Sequence, residues 1–313
     1  LSAAAEHPNY QLIIVDAEQS GRRLDKYLRS RFKQVPAGAL FKLMRQGRLR
    51  VNGRKVQENY RLVLGDEIRM PLIDQAHPVQ EAAPVPRSLL KLLHNRVIHE
   101  DEDLLVIDKP AGIAVHQGTD VSAGVIEAFR QLRPDVPHLE LSHRLDRDTS
   151  GALVLAKTPS MLRFLHDLLR DREDEIERHY LALVAGYWPE TKQEIHAPLR
   201  RMEHAVVVDP QGQRAETRIA VKQRVADRAS LLDVQLLTGR KHQIRVHLQH
   251  EGHPIAGDDR YGRKDFNQRV AGLGGNGLYL HAAKILIPKP NGRAVLVESP
   301  MPPRWSQLIN AGL

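Results

Sequence analysis

The sequence predicts an α+β chain in two parts: a small basic α-β module, then a larger domain with a mixed, largely antiparallel sheet and flanking helices. Three observations carry this expectation. Basic charge is concentrated near the N-terminus, a Pro/Ala-rich stretch follows it, and the remainder is rich in strand-like apolar runs with helix patterns between them. Those runs lack the regular alternation of a parallel βαβ fold.

The chain has 313 residues and a net charge of +8. Between Gly21 and Pro71, 14 Lys or Arg stand against 4 Asp or Glu, a net of +10, so everything else carries −2. Charge gathered in one module is the footprint of a polyanion-binding surface. The length admits one sizeable core and a smaller unit. Cysteine is absent, which excludes a disulfide framework and a thiolate metal site. No apolar run reaches the roughly 18 residues of a spanning helix. The first ten residues, LSAAAEHPNY, have none of the charged and apolar regions of a secretory signal. They also begin without methionine, so the native start is expected upstream, and a cytoplasmic location fits.

Residues 1–20 read as an N-terminal extension. In GRRLDKYLRSRF, Leu24, Tyr27, Leu28 and Phe32 recur at helical spacing with cations on the other faces. AGALFKLMRQG repeats the pattern through Leu40, Leu43 and Met44, and Gly47 is a natural stop. Short strands are expected about the Asn52-Gly53 turn of RLRVNGRKV and about Gly65-Asp66 of YRLVLGDEIRM. Residues 73–88 lack periodicity and read as a proline-stiffened linker. From residue 89 to 313, LLVIDKP, ALVLAK, YLALVAG, TRIAVKQRV, LLDVQLL, LYLHAAKILI and AVLVES read as strands. GVIEAFRQL, SMLRFLHDLLRD and RKHQIRVHLQHEG read as helices.

Several features of the larger domain invite competing chemistries. His242, His247, His250 and His253 are clustered, but a helix bearing them offers no zinc spacing on one face, and local packing or RNA contact is the better reading. GLGGNG lacks the Lys-Ser/Thr ending of a phosphate-cradling loop. A glycosidase needs two carboxylates, one of them a proton donor. Asp146 and Asp148 in HRLDRDTSG are close enough in sequence, yet flanking arginines favour an ionised carboxylate over a proton donor. Alone, that stretch reads as a solvated charged turn.

It does not stand alone. Residues 21–72 resemble the S4 RNA-binding domain, which implies that Arg22, Arg23, Lys42, Arg45, Arg48 and Arg50 meet phosphates. HRLDRDTSG resembles the central motif of the RluA-type pseudouridine synthases. IDKPAGIAVH resembles the family's first motif, RHYLALV its tyrosine segment, and LLTGRKHQIRVHL followed by GHPIAGDDRYG the segment supplying a buried arginine. The resemblance implies the pseudouridine synthase fold. It assigns Asp146 as nucleophile, by attack at C1′ or by a glycal route, Arg245 as its partner and Tyr180 as a group that stacks on the base and helps remove the C5 proton. Ile244 would be an apolar wall. Arg144 would fill the space of a flipped nucleotide, and His143 and Arg147 would support the loop or meet the substrate. Thr149, Ser150 and Gly151 would close the turn.

The implied reaction exchanges one glycosidic bond for another within a nucleotide, so no cofactor and no metal is expected. The implied partner is ribosomal RNA of the large subunit (23S), before full assembly, acted on by a monomer without a membrane. Transfer RNA stays open as a target. So does a non-catalytic RNA-binding or ribosome-assembly role, although the chain retains the aspartate, tyrosine and arginine that such a factor could lose.

Overall fold

The computed structural model describes residues 10–32, 35, 37–72, 85–117, 123–226 and 228–313. Its contacts divide the chain into two units, Leu1–Ala83 and Pro84–Leu313.

The first unit contains β1 (Tyr10–Ile14), α1 (Leu24–Arg31), α2 (Ala37–Arg45), β2 (Arg50–Val51) and β3 (Glu67–Pro71). Helix α1 buries Leu24, Tyr27 and Leu28, and α2 buries Leu40 and Met44. These side chains meet Ile13, Val51, Ile68 and Met70 of a three-stranded sheet ordered β1-β3-β2. Residues 1–20 are therefore not wholly an extension. Strand β1 pairs antiparallel with β3 from Tyr10 opposite Pro71 to Ile14 opposite Glu67, supplying a partner that β3 would otherwise lack on that edge.

The two expected hairpins are also rearranged. Asn52 and Gly53 do form a tight turn with φ of 48° and 72°, and Val51 and Arg54 exchange backbone hydrogen bonds at 2.9 Å across it. However, that pairing stops at the single Val51–Arg54 bridge, and β2 finds its strand partner in β3. Buried Asp66 explains the convergence: its carboxylate accepts hydrogen bonds from Asn52 Nδ2 at 2.7 Å, the Tyr60 hydroxyl at 3.1 Å and the Val63 amide at 2.8 Å. One short carboxylate thus ties both turns together.

The second unit begins with α3 (Arg87–His94), β4 (Val97–Glu100), β5 (Leu104–Lys109), α4 (Val125–Leu132), β6 (Glu140–Leu141), β7 (Ser150–Ala156) and α5 (Pro159–Asp171). A short 3-10 turn, Glu173–Glu175, leads to β8 (Glu177–Ala185), β9 (Glu194–His196), β10 (Leu199–Arg201), β11 (Val206–Val208), β12 (Glu216–Val225) and β13 (Ala229–Leu236). The chain ends with α6 (Gln243–His250), α7 (Lys264–Gly272), β14 (Leu280–Pro288), β15 (Ala294–Glu298) and α8 (Pro303–Asn310). Most of the expected linker, residues 73–84, lies outside the described residues. Its last two positions, Arg87 and Ser88, are the first turn of α3, whose Leu93 is buried in the core.

The large sheet runs β4-β5-β7-β14-β8-β13-β12-β9, with β15 on β14 and β6 on β7. All its pairings are antiparallel except β7 with β14. Strand side chains alternate between faces, and here both central faces are covered. Leu105, Ile107, Leu153 and Leu155 join the core beneath α3 and α4, whereas Leu104, Val106, Ala152, Val154 and Ala156 join the core beneath α5. This explains the uninterrupted apolar character of LLVIDK and ALVLA. By contrast, most of β12 has one wet face, and it alternates. Among the described residues no helix is long and apolar enough to cross a membrane.

The parallel step between β7 and β14 constrains the segment ahead of it. Gly151 has φ of 108°, and a Cβ there would stand 2.2 Å from the Ala282 carbonyl oxygen. Ser150, beside it, is hydrogen-bonded to His281 Nδ1 at 2.9 Å, and His281 Nε2 donates to the Ser299 carbonyl, 3.1 Å away. Gly151→Ala is expected to destabilise the protein by about 3 kcal/mol through backbone strain and overpacking together. Urea unfolding measures this, with Gly112→Ala, whose added Cβ meets nothing within 4 Å, as the control for a positive-φ glycine alone.

Candidate active site

The loop from Ser142 to Thr149 enters β7, and its side chains are divided by what lies on either side. The Ser142 hydroxyl donates to the Val154 carbonyl at 2.9 Å, while the Val154 amide donates to His143 Nε2 at 3.0 Å. Both residues therefore grip the backbone of β7. Burial, with the Arg178 charge adding to it, pushes the His143 imidazole down to about 4, which suits an acceptor ring nitrogen. Leu145 is buried in the core and Arg144 is exposed.

Lys109, at the end of β5, anchors the far side of this loop. Its fully buried ammonium donates to the carbonyls of Pro110, Ile113 and Arg147, each at 2.9 Å. Burial pushes it down to about 7, against the pull of Asp148, Asp146 and Asp108. Three carbonyl acceptors match the three donors of the charged form. The Arg147 side chain donates to the Gly112 carbonyl at 3.0 Å, and Gly112 returns a backbone bond to Arg147 at 2.9 Å. Of the two expectations for His143 and Arg147, loop support or contact with the substrate, the bonds observed are those of loop support. His143 still lines the cleft.

Asp146 sits at the edge of a cleft of about 440 Å³, its side chain one-fifth exposed. Arg245, on α6, reaches it across 99 residues of sequence: Nη1 lies 3.2 Å from Asp146 Oδ2. The rest of that guanidinium is held by Asp258, with Nε to Oδ2 at 2.7 Å and Nη2 to Oδ1 at 2.8 Å. Asp258 is fully buried and also accepts the amides of Arg260 and Tyr261 at 2.9 Å. Burial alone would raise its carboxyl, but the Arg245 hydrogen bonds and charge hold it below the usual range. Burial would likewise weaken the Arg245 charge, and Asp258 and Asp146 reverse that, so the guanidinium stays charged.

The remaining walls come from four elements. Tyr180 on β8 is buried, with its ring lining the cleft beside Leu236 of β13, Leu280 of β14 and Ile244 of α6. Burial pushes its phenol up to about 12, opposed by Arg178 and reinforced by Asp146. Arg178, two residues earlier on the same face of β8, is buried 3.7 Å from Glu173 and 3.5 Å from the Leu236 carbonyl. Arg144, Arg201, Arg240 and Lys241 add positive charge around the cleft. Cationic rim, apolar floor and one accessible carboxylate together suit a nucleotide whose base enters a shaped pocket while its backbone stays outside.

In the first unit, Lys42, Arg45 and Arg48 are exposed, and their side chains have no ion-pair or hydrogen-bond partner among the described residues. The other three expected phosphate contacts have internal partners. Arg23 clasps Asp25 at 3.0 and 3.1 Å, Arg22 bonds Gln19 and Ser30, and Arg50 donates to the Gly47 and Gly53 carbonyls. The four clustered histidines diverge. His247 is buried between Thr217 and the Ala197 carbonyl, His253 bonds the Ala185 carbonyl, His250 is exposed, and only His242 turns to Asp146. Among the described residues no three His, Asp or Glu side chains converge as a metal site.

Sequence reasoning reached Asp146, Tyr180, Ile244 and Arg245, and the fold brings all four to one cleft. It passed over Asp258, Lys109, Arg178, His242 and Tyr261 as site residues, although each lies within a stretch it had quoted. A signal for Asp258 existed in elementary terms: a buried guanidinium has more donors than one carboxylate can accept.

This chain belongs to the RNA pseudouridylate synthase family, whose model matches residues 103–250, and it carries an S4 domain matched at residues 22–68. It is similar over 304 residues, at 41% identity, to the ribosomal large subunit pseudouridine synthase C of Escherichia coli K12, covering 95% of this chain and 94% of that one. The enzyme of the same name from Pasteurella multocida is 40% identical over 309 residues, or 96% and 93% of the two chains. Among solved structures, human RNA pseudouridylate synthase domain containing 4 superposes with a TM-score of 0.58 at 26% identity, over 72% of this chain and 95% of that one.

Asp258→Asn is expected to cost about 3 kcal/mol of stability, because it leaves a buried guanidinium short of its charge partner. The sign of the pH dependence follows from the lowered carboxyl. Its stabilisation is complete above the ordinary carboxylate value of 3.8 and is lost as pH falls through the lower folded value. Unfolding measured from pH 6 to pH 2, values chosen as roughly spanning that window, should show a shallower acid loss in Asp258→Asn than in the wild type.

Proposed function

We propose that this enzyme isomerises uridine in large-subunit ribosomal RNA, with Asp146 as the reacting carboxylate. The observation that carries the reading is a single accessible carboxylate bridged to a buried arginine, at the mouth of an apolar cleft, in a chain similar along nearly its whole length to large-subunit pseudouridine synthases. The reaction breaks the N1–C1′ bond and joins C1′ to C5. The C5 proton leaves, N1 gains a proton, and the atoms of the nucleotide are unchanged.

Asp146 supplies a pair of electrons to the sugar, either by bonding C1′ or by removing a sugar proton on a glycal route. Arg245 holds the carboxylate and keeps it from being solvated away from the sugar. Tyr180, Ile244, Leu236 and Leu280 form the walls that retain the uracil while it turns over. With its phenol pushed up to about 12, Tyr180 enters the cycle protonated, so it donates a hydrogen bond or stacks; a tyrosinate base is disfavoured at neutral pH. Arg144, exposed beside Asp146, fills the gap left when the uridine leaves its stack, a step that costs a few kcal/mol.

Phosphate affinity comes from the first unit, chiefly Lys42, Arg45 and Arg48, whose charges are free of internal partners among the described residues. The same reading has the enzyme act as a monomer in the cytoplasm, on ribosomal RNA not yet buried by full assembly of the subunit. The residues between β3 and α3 join the two parts, so both engage one RNA only where that segment can span them.

Two outcomes test this. Asp146→Asn should lower pseudouridine formation by roughly 10³-fold or more while leaving RNA affinity nearly unchanged. Pseudouridine mapping in cells that lack the protein, complemented with either form, gives the answer; restoration of every lost site by the asparagine form would sink the assignment. Replacing Lys42, Arg45 and Arg48 together by Ala should weaken binding and reduce the slope of log Kd against log salt by about 2 to 3. An unchanged slope would remove these three residues from the RNA interface.

A further inference from the structure

His242 stands in the left-handed region, with φ of 55° and ψ of 18°, at the entry to α6. Such a conformation is uncommon for a residue with a Cβ and is retained where the surroundings impose it. The surroundings here are specific. Nδ1 lies 2.8 Å from the Tyr261 hydroxyl, and that hydroxyl accepts the Val206 amide at 3.0 Å. On the other side of the ring, Nε2 lies 3.7 Å from Asp146 Oδ2. The side chain is nine-tenths buried.

The hydrogen-bond chain accounts for one placement of the proton, the one in which the Tyr261 hydroxyl donates to the ring. The Val206 amide can only donate, so the Tyr261 oxygen is its acceptor. The Tyr261 hydroxyl proton has one ring nitrogen as its partner among the described residues, Nδ1. Nδ1 is then the acceptor nitrogen of a neutral imidazole, and Nε2 carries the hydrogen. The ring thus aims an N–H at the oxygen of Asp146 that Arg245 already holds. Asp146 Oδ1 accepts no hydrogen bond from the described residues, so it is the oxygen left for the sugar.

We propose that His242 is a positioning residue for the isomerisation: a neutral Nε2–H donor, set by the Val206–Tyr261 chain, that closes on Asp146 Oδ2 when RNA binds and presents Oδ1 to the ribose. This rests on Asp146 being the reacting carboxylate. A separation of 3.7 Å is not a hydrogen bond, and contacts of this kind often tighten only in the substrate complex. A neutral donor orients the carboxylate without placing a second full positive charge beside it.

The charged groups around the ring agree with a neutral state. Burial disfavours the imidazolium, the Asp146 carboxylate opposes that, and Arg245 of α6, Lys241 beside it and Arg260 of the neighbouring loop disfavour it again. The balance pushes the ring down to about 4. Tyr261 contributes by donating to Nδ1, which an imidazolium could not accept. Losing that hydroxyl therefore raises the pH at which His242 becomes charged.

The test uses the full chain and large-subunit ribosomal RNA isolated from cells lacking the protein, followed by the rate of pseudouridine formation. His242→Gln, which retains an N–H near the Nε2 position, should stay within about 5-fold of wild-type kcat, whereas His242→Leu should lose about 30-fold or more in kcat with KM changed less than about 2-fold. In Tyr261→Phe the acid limb of the kcat profile should move to higher pH. Nitrogen-15 imidazole spectra of the wild type, with His242 assigned by its absence in the variant, should show the Nε2–H tautomer at neutral pH.

A Leu variant with undiminished kcat, a Gln variant no better than Leu, an unmoved acid limb, or an Nδ1–H tautomer would overturn the assignment. Should the variants fail to fold, the wild-type spectrum still decides, with resonance assignment made through bonds. An inactive Asp146→Asn protein alongside any of these failures would remove His242 alone. A fully active one would remove the reading on which it rests.

Discussion

Everything in the cleft depends on one guanidinium serving two carboxylates. Arg245 commits Nε and Nη2 to Asp258, at 2.7 and 2.8 Å, and so offers Nη1 to Asp146 in a direction that cannot drift. A single ion pair would leave the fork free to rotate; the buried bidentate pair removes that freedom. Asp258 is itself immobilised by the backbone amides of Arg260 and Tyr261. The orientation of the Asp146 carboxylate is thereby traced to Asp258, a buried residue outside the lining of the cleft. Burying such a pair is costly unless every donor is matched, and here the Asp258 oxygens are matched by two amides as well as by the arginine.

The loop that carries Asp146 is constrained with equal care from its other side. Lys109 spends three donors on three carbonyls, one of them that of Arg147, and His143 and Ser142 hold the backbone of Val154. The charge-rich stretch HRLDRDTSG therefore contains few groups that are free. Its aspartate faces Arg245, its second arginine and its histidine brace the loop, and Arg144 alone among its cations stands exposed without a protein partner among the described residues. Positioning of this kind matters because an error of about 1 Å at a reacting group can reduce a rate by roughly 10²-fold.

Much of this was legible before any coordinates. The apolar spacing in α1 and α2, the two-sided strands LLVIDK and ALVLA, and the mixed sheet all follow from periodicity, because burial imposes the same pattern that the sequence displays. The family motifs pointed to Asp146, Tyr180 and Arg245, and the fold brings the three to one cleft. Less legible were features that depend on pairing between distant segments. YQLII reads as an extension because a five-residue strand means little until Glu67–Pro71 is present to pair with it. The end of the linker became α3 because eight residues hold only two turns, too short a stretch for a decisive pattern. Asp258 and Lys109 were quoted without roles, and His242 only as one of four clustered histidines, since a buried partner is recognised only when the group it faces is placed beside it. The separate fates of Arg23 and Arg45, one clasping Asp25 and one without a partner, are likewise decisions of the fold.

The most direct test of the bridged guanidinium is the single-turnover rate of Arg245→Lys at saturating RNA. Lysine retains the positive charge but, lacking a rigid fork, cannot hold both carboxylates in one geometry. A fall of about 100-fold or more, with RNA affinity preserved, is the expected result. A rate close to that of the wild type would contradict the claim that shape, and not charge alone, aims Asp146.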